Sequence, residues 1–168
     1  MEENRSSEPD PCIFSNHKNL TNDGGRSTRC GKIGTRCDHY IDTHWYRTPD
    51  ATIASVCPDL LHCGVTYPVW MNVTLDKSAL INVGTLPKKA EGIVNRTGCM
   101  VTGLSPNECC PVNTTNTISV KNCSTFFVYY LERRIGCDEG YCFGSSVIQG
   151  QNLNGHIPST LFEDSPAP

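Results

Sequence analysis

The sequence predicts a small, disulfide-rich, mainly β domain with long loops and little helix. Three observations lead to this fold class: eleven cysteines in 168 residues, few large aliphatic side chains, and short apolar segments separated by Gly, Pro and Asn. Leu, Ile, Val and Phe make up only about a fifth of the chain, which is low for a self-sufficient core. Extracellular domains compensate for such a core with disulfides.

The apolar segments are predicted to be β-strands because β-branched and aromatic residues dominate them. No window shows a helical apolar stripe longer than about two turns, so little helix is expected. Pro68 predicts an edge strand or a bulge in the second segment. The last segment is apolar on both faces and is the best candidate for a buried strand. The segments are Thr52–Val56, Val65–Leu75, Ile93–Val94, Ile118–Val120 and Phe126–Leu131.

The chain length suits one domain. Residues 1–11 are interpreted as a polar leader that ends in a Pro-Asp-Pro turn signal, residues 12–142 as the domain, and residues 143–168 as a flexible tail or linker. Within the domain, Asn16 to Gly34 is predicted to be a long loop, with order beginning near Cys37. Residues 1–11 lack the apolar stretch of a signal peptide. We therefore expect a fragment or mature segment of a larger secreted protein, or a truncated gene model.

Charge and hydropathy exclude two classes of partner. The net charge of −3 and the isoelectric point near 5.9 provide no electrostatic footprint for nucleic acid. No run of roughly 18 apolar residues is present, so no membrane span is expected. The basic pairs Lys88-Lys89 and Arg133-Arg134 are short and isolated, and we interpret them as solvated loop charges.

Six Asn-x-Ser/Thr sequons lie among the cysteines, and both features are typical of secreted proteins. A reducing compartment with free thiols would leave the sequons unexplained. We therefore predict an extracellular glycoprotein. Asn95 precedes Arg96 and Asn122 precedes Cys123, which makes these two the less favourable acceptors. The candidate glycosylation sites are Asn4, Asn19, Asn72, Asn95, Asn113 and Asn122.

Zinc binding and catalysis are the competing interpretations. Structural zinc sites repeat cysteine pairs that are separated by two to four residues, whereas five residues separate Cys57 from Cys63 and no second matching pair exists. No Gly-x-Ser-x-Gly or His-Glu-x-x-His motif is present, so a small secreted hydrolase is disfavoured. We expect no enzyme, no metal and no cofactor. The residues that could be drawn as zinc ligands are Cys37, His39, His44, His62, Cys63, Cys57, Cys137 and Cys142.

Cys109 and Cys110 are adjacent in the chain. Consecutive Cα atoms lie about 3.8 Å apart, which is less than the roughly 4.4–6.8 Å that a disulfide needs. We therefore expect these two cysteines to reach different partners and to pin two segments of the chain to one point.

A specific order of short strings carries a family resemblance. The strings are Asp10-Pro11-Cys12, Cys37-Asp38, Trp45-Tyr46-Arg47, Cys57 with Cys63, Pro68-Val69-Trp70-Met71-Asn72, Glu91-Gly92-Ile93-Val94-Asn95-Arg96, Cys99, Cys109-Cys110, Cys123, Phe127-Val128-Tyr129 and Cys137 with Cys142. In this order the chain resembles the uromodulin-type cysteine-rich domain. That domain also occurs in the pancreatic zymogen-granule membrane glycoprotein, liver-type zona pellucida proteins, and von Willebrand factor D and EGF domain-containing proteins. The resemblance covers residues 10–142.

The resemblance implies a disulfide pairing. This pairing leaves Cys30 as the unpaired candidate. Cys30 could be a free thiol, a link to another chain, or a substitute for Cys37 as the partner of Cys137. Trp45 and Trp70 are interpreted as core anchors between bridges, with an exposed aromatic platform as the alternative. The implied pairs are Cys12–Cys123, Cys37–Cys137, Cys57–Cys109, Cys63–Cys142 and Cys99–Cys110.

The resemblance also implies a function. Domains of this type carry glycans that occupy bacterial fimbrial adhesins, which implies a non-enzymatic extracellular glycoprotein module that presents N-glycans to microbial or cellular lectins or adhesins. Asn72 matches a sequon of the family. The adhesin-binding loop follows the Tyr-Val-Tyr strand in uromodulin, whereas this chain has Tyr130-Leu131-Glu132 there and no sequon. A structural spacer or protein-interaction module of a larger EGF- or zona pellucida-type mosaic protein is the alternative.

Overall fold

The computed structural model describes residues 8–21, 24–34, 36–49, 51–72 and 86–145. These residues form β-strands and short 3₁₀ turns that are cross-linked by five disulfides, which confirms the predicted mainly β, disulfide-rich fold class. None of their helical turns has the length and apolar character needed to cross a membrane. The strands are β1 (Lys18–Asn19), β2 (His44–Arg47), β3 (Ala51–Ile53), β4 (Tyr67–Asn72), β5 (Ile93–Met100), β6 (Asn116–Asn122), β7 (Phe127–Leu131), β8 (Glu139–Tyr141) and β9 (Phe143–Ser145).

Seven of the strands form one sheet in the order β1-β2-β7-β6-β5-β4-β8. The five central strands pair antiparallel, whereas the short edge strands β1 and β8 pair parallel with β2 and β4. Strands β3 and β9 form a separate antiparallel pair. The 3₁₀ turns are Phe14–Asn16, Lys89–Glu91, Pro106–Glu108 and Val112–Thr114.

Pro68 lies in a strand that has neighbours on both sides, so the predicted edge strand is wrong. Its own strand, β4, pairs with β5 from Val69 onward and with β8 on the other side. The carbonyl of Pro68 accepts a hydrogen bond of 2.9 Å from Val101 N–H just beyond the end of β5. Because the ladder with β5 begins after Pro68, the missing N–H of the proline interrupts no ladder hydrogen bond.

Large side chains fill the space between the inner face of the large sheet and the β3–β9 pair. Tyr129 is fully buried, and its hydroxyl accepts a hydrogen bond of 3.2 Å from Ile53 N–H in β3. Burial raises the pKa of the Tyr129 hydroxyl, because the charged form is not solvated there. We call this cluster the sheet core; it consists of Leu20, Tyr46, Ile53, Val69, Met71, Ile118, Val120, Tyr129, Leu131, Tyr141 and Phe143.

A second cluster surrounds Trp70, which is 6% exposed. The indole Nε1–H of Trp70 donates a hydrogen bond of 2.9 Å to the carbonyl of Cys109, so the ring is held from its polar end as well. Half-cystines supply most of the neighbours. We call this the cystine cluster; it consists of Ala54, Cys63, Trp70, Cys99, Val101 and Cys142, with Cys57, Leu60, Cys109 and Cys110 packed against it.

The disulfides join the same pairs that the family resemblance implies. The adjacent cysteines reach different segments: Cys109 is bonded to Cys57, and Cys110 to Cys99. Cys12 is bonded to Cys123 in the β6–β7 turn, which ties the N-terminal segment to the sheet. The other two bridges are Cys37–Cys137 and Cys63–Cys142.

Order begins before Cys37, in contrast to the prediction. Arg26 and Asp38 form a buried ion pair, with Nη1 of the arginine 2.7 Å from Oδ2 of the aspartate. Oδ2 of Asp38 also accepts a hydrogen bond of 2.7 Å from Tyr141 N–H in β8. The stretch that looked like a polar loop is therefore attached to the sheet through a charged pair whose partners satisfy each other away from water.

Two further segments differ from their sequence-based interpretation. Arg134 is not a solvated loop charge: its Nη2 lies 2.7 Å from Oε2 of Glu139, and both side chains are largely buried. Phe143, which the sequence analysis assigns to the start of the tail, lies in β9. It pairs with Ile53 of β3 and is 1% exposed. The compact part of the chain therefore includes β9, and residues 146–168 lie outside the described residues.

Candidate glycan-bearing surface

The structure sorts the sequon asparagines by exposure. Asn19, Asn95 and Asn113 are exposed, whereas Asn122 is half-buried and Asn72 is only 7% exposed. The remaining candidate, Asn4, lies outside the described residues. A glycan needs an asparagine side chain that reaches solvent, and three of the five described sites are exposed in this way.

The three exposed asparagines lie on different elements. Asn19 ends the edge strand β1, Asn95 lies within β5, and Asn113 lies in the 3₁₀ turn that follows Cys110. Each element is close to a disulfide or to a central strand of the sheet. The three side chains are therefore held at separate, fixed places on one cross-linked body.

Asn122 and Asn72 are engaged with the fold. The amide nitrogen of Asn122 donates a hydrogen bond of 2.9 Å to the carbonyl of Pro87, and its side-chain oxygen accepts one of 2.8 Å from Ser124 N–H. Asn72 is buried at the end of β4, next to the sheet core residue Met71. Thr74, which completes the Asn72 sequon, lies outside the described residues. Asn72 matches a family sequon, but its side chain is buried and does not reach solvent.

Asn95 stands on the outer face of the large sheet, opposite the sheet core. Its side-chain oxygen accepts a hydrogen bond of 2.7 Å from the hydroxyl of Ser119, its direct neighbour on β6. Ser119 pairs in turn with Tyr130 on β7, and Tyr130 pairs with Trp45 on β2. Directly paired residues share a face of a sheet, so these four side chains form one row across four strands.

The far end of this row lies in an open groove of about 630 Å³. The rings of Trp45 and Tyr130 meet edge to face with their centres 5.5 Å apart. Sequence reasoning did not find this groove, although the alternation of outward positions along β2, β6 and β7 is a signal that could have indicated it. The lining residues are Glu8, Pro9, Asp10, Pro11, Trp45, Ile93, Ser119, Lys121 and Tyr130.

An ion pair attaches the N-terminal segment to the groove. Oδ1 of Asp10 lies 2.8 Å from Nζ of Lys121 and accepts a second hydrogen bond of 2.9 Å from Cys12 N–H. The hydrogen bond from Lys121, followed by that from Cys12, lowers the pKa of the Asp10 carboxyl below its usual 3.8. Asp10 is therefore ionised at neutral pH and keeps residues 8–11 against the sheet.

The two tryptophans have different positions. Trp70 is a core anchor of the cystine cluster, as interpreted, whereas Trp45 is half-buried on the outer face and forms part of an aromatic platform. The core-anchor interpretation is therefore confirmed for Trp70, whereas Trp45 is neither a core residue nor fully exposed.

Cys30 is the unpaired cysteine of the described residues and is half-buried. Its carbonyl accepts a hydrogen bond of 3.0 Å from Cys63 N–H. It does not replace Cys37, which is bonded to Cys137.

The residues that the zinc interpretation names are used otherwise. All of the cysteines among them are disulfide-bonded, His39 Nδ1 donates to the carbonyl of Arg134 at 3.0 Å, and His62 Nδ1 donates to that of Leu60 at 3.1 Å. His44 packs edge to face on Tyr46. Within the described residues, no three His, Cys, Asp or Glu side chains are grouped so that they could hold a metal ion.

Comparisons with known proteins agree with this picture. Residues 45–143 match the uromodulin-like domain family. The chain is 32% identical to uromodulin of Mus musculus over 145 residues and 34% identical to uromodulin of Rattus norvegicus over 146 residues, covering 84% of this chain and 19% of each relative. It is 32% identical over 142 residues to the pancreatic secretory granule membrane major glycoprotein GP2 of Canis lupus familiaris, covering 82% of this chain and 24% of that protein. The chain thus spans about a fifth to a quarter of these relatives.

Proposed function

The chain belongs to the uromodulin-like domain family, and on that premise we propose that it is a non-enzymatic extracellular glycoprotein module that presents N-linked glycans to microbial or cellular lectins or adhesins. The observation that carries the proposal is the exposure of Asn19, Asn95 and Asn113 on a body cross-linked by five disulfides. Glycans at three separate places on a rigid body can engage several lectin sites at once, and such multivalency raises avidity without new protein contacts.

The glycans proposed here are attached at different places on the domain from the adhesin-binding glycan of uromodulin. The segment after β7 has no sequon, and it exposes Arg133 and Ile135, the latter at 89%. The three exposed asparagines lie on β1, on β5 and after Cys110 instead. Any adhesin that binds this chain through its glycans would therefore approach a different part of the domain.

A second candidate function is a protein-interaction module of a larger mosaic protein. Leu104 is 88% exposed and Val112 is 90% exposed, and the two flank the Cys109-Cys110 junction in the chain. If the two side chains belong to one contiguous apolar patch, that patch would be a contact surface for another protein. This function needs no glycan, so removing the glycans from the protein distinguishes the two proposals.

The test uses the chain secreted from a mammalian host and two matched sets of substitutions. Thr21→Ala, Thr97→Ala and Thr115→Ala remove the three exposed sequons, whereas Ser at the same positions keeps them. Glycopeptide mass spectrometry is expected to find occupancy at Asn19, Asn95 and Asn113. A panel of immobilised lectins and mannose-specific fimbriated bacteria should capture the native and Ser forms but not the Ala form or the endoglycosidase-treated protein.

Two outcomes would contradict glycan presentation. One is the absence of glycan from all three exposed asparagines. The other is capture that survives glycan removal, which would support the protein-interaction module instead. Labelling of the native protein by hydrolase- or thiol-directed probes at a catalytic residue would contradict both proposals.

A further inference from the structure

The row on the outer face links a sequon asparagine to the aromatic groove. Asn95, Ser119, Tyr130 and Trp45 are direct neighbours on β5, β6, β7 and β2. Adjacent strands lie about 4.8 Å apart, so Tyr130 stands roughly 10 Å from Asn95 along the row. The two core sugars of an N-glycan can span this distance.

The groove has the chemistry that a sugar requires. The rings of Trp45 and Tyr130 offer apolar faces on which the C–H face of a pyranose can stack, and such contacts are of the same kind as other aromatic stacking. Lys121 and Asp10 stand at the rim and supply a donor and an acceptor for hydroxyl or acetamido groups. The groove thus combines two aromatic faces with polar side chains that include Ser119, and this mixture suits the apolar and hydroxyl-bearing faces of a sugar.

The hydrogen bond between Ser119 and Asn95 sets the direction in which a glycan would leave the asparagine side chain. It holds the amide group of Asn95 on the side of its β6 neighbour, which is the side of the aromatic rings. Asn113 lies instead in a 3₁₀ turn next to the highly exposed Val112, outside the row of paired strand residues. The two sites therefore differ in what a glycan would contact.

We propose that the glycan attached to Asn95 lies along this row, with its core sugars stacked on Tyr130 and Trp45. The proposal rests on glycosylation of Asn95, which is part of the proposed function. The chain's own glycan is the occupant that the geometry favours, because an attached ligand has an effective concentration on the order of millimolar. Weak stacking that would not retain a free saccharide is sufficient for an attached one.

The first measurement compares two glycans within one molecule. In the native secreted protein, endoglycosidase release at Asn95 should be roughly three- to tenfold slower than at Asn113, because one aromatic stacking contact changes an equilibrium by about that factor. N-acetyl methyl protons of the Asn95 glycan should shift upfield in NMR spectra through ring currents. Those of the Asn113 glycan should match a free glycopeptide.

A matched pair of variants isolates the aromatic faces. Trp45→Leu with Tyr130→Leu keeps apolar bulk but removes the rings, and it should abolish both the slow release and the shifts at Asn95. Thr117→Ala changes the next outward position of β6, in the row beside Ser119 and farther from the rings, and should leave both unchanged. Thermal unfolding and the signals of the Asn113 glycan show whether each variant is folded.

The outcomes separate this inference from the proposed function. A glycan that is present at Asn95 but has free-glycopeptide shifts overturns the docking, while lectin capture by the module can stand. Absence of glycan at Asn95 also overturns it, and the proposed function then depends on Asn19 and Asn113. Binding of free chitobiose to the enzymatically deglycosylated protein, combined with unshifted signals of the attached glycan, would mark the groove as a receptor for foreign sugars and would overturn the docking too.

Discussion

The sheet core and the cystine cluster are stabilised in different ways. The sheet core consists of large aliphatic and aromatic side chains and includes none of the cysteines. The cystine cluster has one very large side chain, that of Trp70, and half-cystines of three disulfides around it. One region is held by burial of apolar surface, and the other by covalent links that meet at the Cys109-Cys110 junction.

This difference shows how a chain with few large aliphatic residues keeps two clusters in one domain. Burying one large side chain contributes roughly 1.5–3 kcal/mol to the free energy of unfolding. A disulfide contributes a similar amount, typically about 2–4 kcal/mol, mainly by restricting the unfolded chain. The cystine cluster can therefore be small, because its stability depends on loop lengths more than on buried area.

The largest expected effect concerns loop length. Cys12–Cys123 closes a separation of 111 residues, whereas Cys99–Cys110 closes one of 11. Replacing both cysteines of a pair by Ala should lower the free energy of unfolding by about 5 kcal/mol for the first pair and about 3 kcal/mol for the second. Denaturant unfolding without reductant measures both. Equal losses, or the reverse order, would contradict the view that covalent links act through the unfolded chain.

The second prediction concerns the sheet core. Phe143→Ala should lower the free energy of unfolding by roughly 3–5 kcal/mol, because the ring is 1% exposed and packs edge to face on Tyr129. Phe14→Ala is the control, since Phe14 is 78% exposed. Denaturant unfolding at constant pH compares the two. A loss below about 1 kcal/mol for Phe143→Ala would mean that β9 does not complete the sheet core.

The third prediction concerns the single large side chain of the cystine cluster. Trp70→Phe keeps most of the apolar surface but leaves the carbonyl of Cys109 without its donor. A buried acceptor that loses its partner costs about 1–3 kcal/mol, and because Cys109 is half-buried we expect a loss near the lower end of this range. Trp45→Phe, on the half-buried outer face, should cost less. If the two variants were equally stable in thermal unfolding, the cystine cluster would depend on its disulfides alone.

The smallest expected effect concerns a noncovalent contact beside a disulfide. The carboxyl of Asp10 has a pKa below 3.8 because it accepts a hydrogen bond from the ammonium group of Lys121. A depressed folded-state pKa contributes stability above the unfolded value, and this is lost as the pH falls through the folded value. Glu8 and Pro9 should therefore loosen from the groove in acid and uncover part of Trp45. Cys12–Cys123 and the hydrogen bonds that the Asp10 carbonyl accepts from Ile13 N–H and the Asn16 side chain should keep the rest of the segment attached.

NMR titration of the Asp10 carboxyl and acrylamide quenching of tryptophan fluorescence follow this step. In Lys121→Met the titration should move up toward 3.8, the usual value. An unchanged pKa in that variant would mean that the ion pair does not hold the segment. Stability itself should change little in either case, because an exposed ion pair contributes little.

The strands show which elements the residue types predict. Ile118–Val120 and Phe126–Leu131 were found because their β-branched and aromatic residues are typical of strands. Only Ile93–Val94 of the eight-residue β5 was predicted, since Asn95 and Gly98 belong to residue types that are depleted in strands and they interrupt the apolar run. That part of β5 is extended because β4 and β6 pair with it on both sides.

The edge strands and ion pairs were not predictable in this way. Lys18–Asn19 is a strand only through its parallel pairing with β2. Arg26 looks like any loop cation until Asp38 and Tyr141 are placed around it. Each of these features depends on a partner that is distant in sequence, and single-chain patterns contain no information on such distances.

Residue types and short spacings are sufficient to predict the disulfide-rich, mainly β class and the positions of the sequons. They do not predict that Asn95 is open and Asn72 is buried, or that Trp70 is a core residue while Trp45 faces a groove. These features depend on strand pairing. Exposure and neighbours are set by which strands lie side by side, and these strands come from segments that are far apart in the chain.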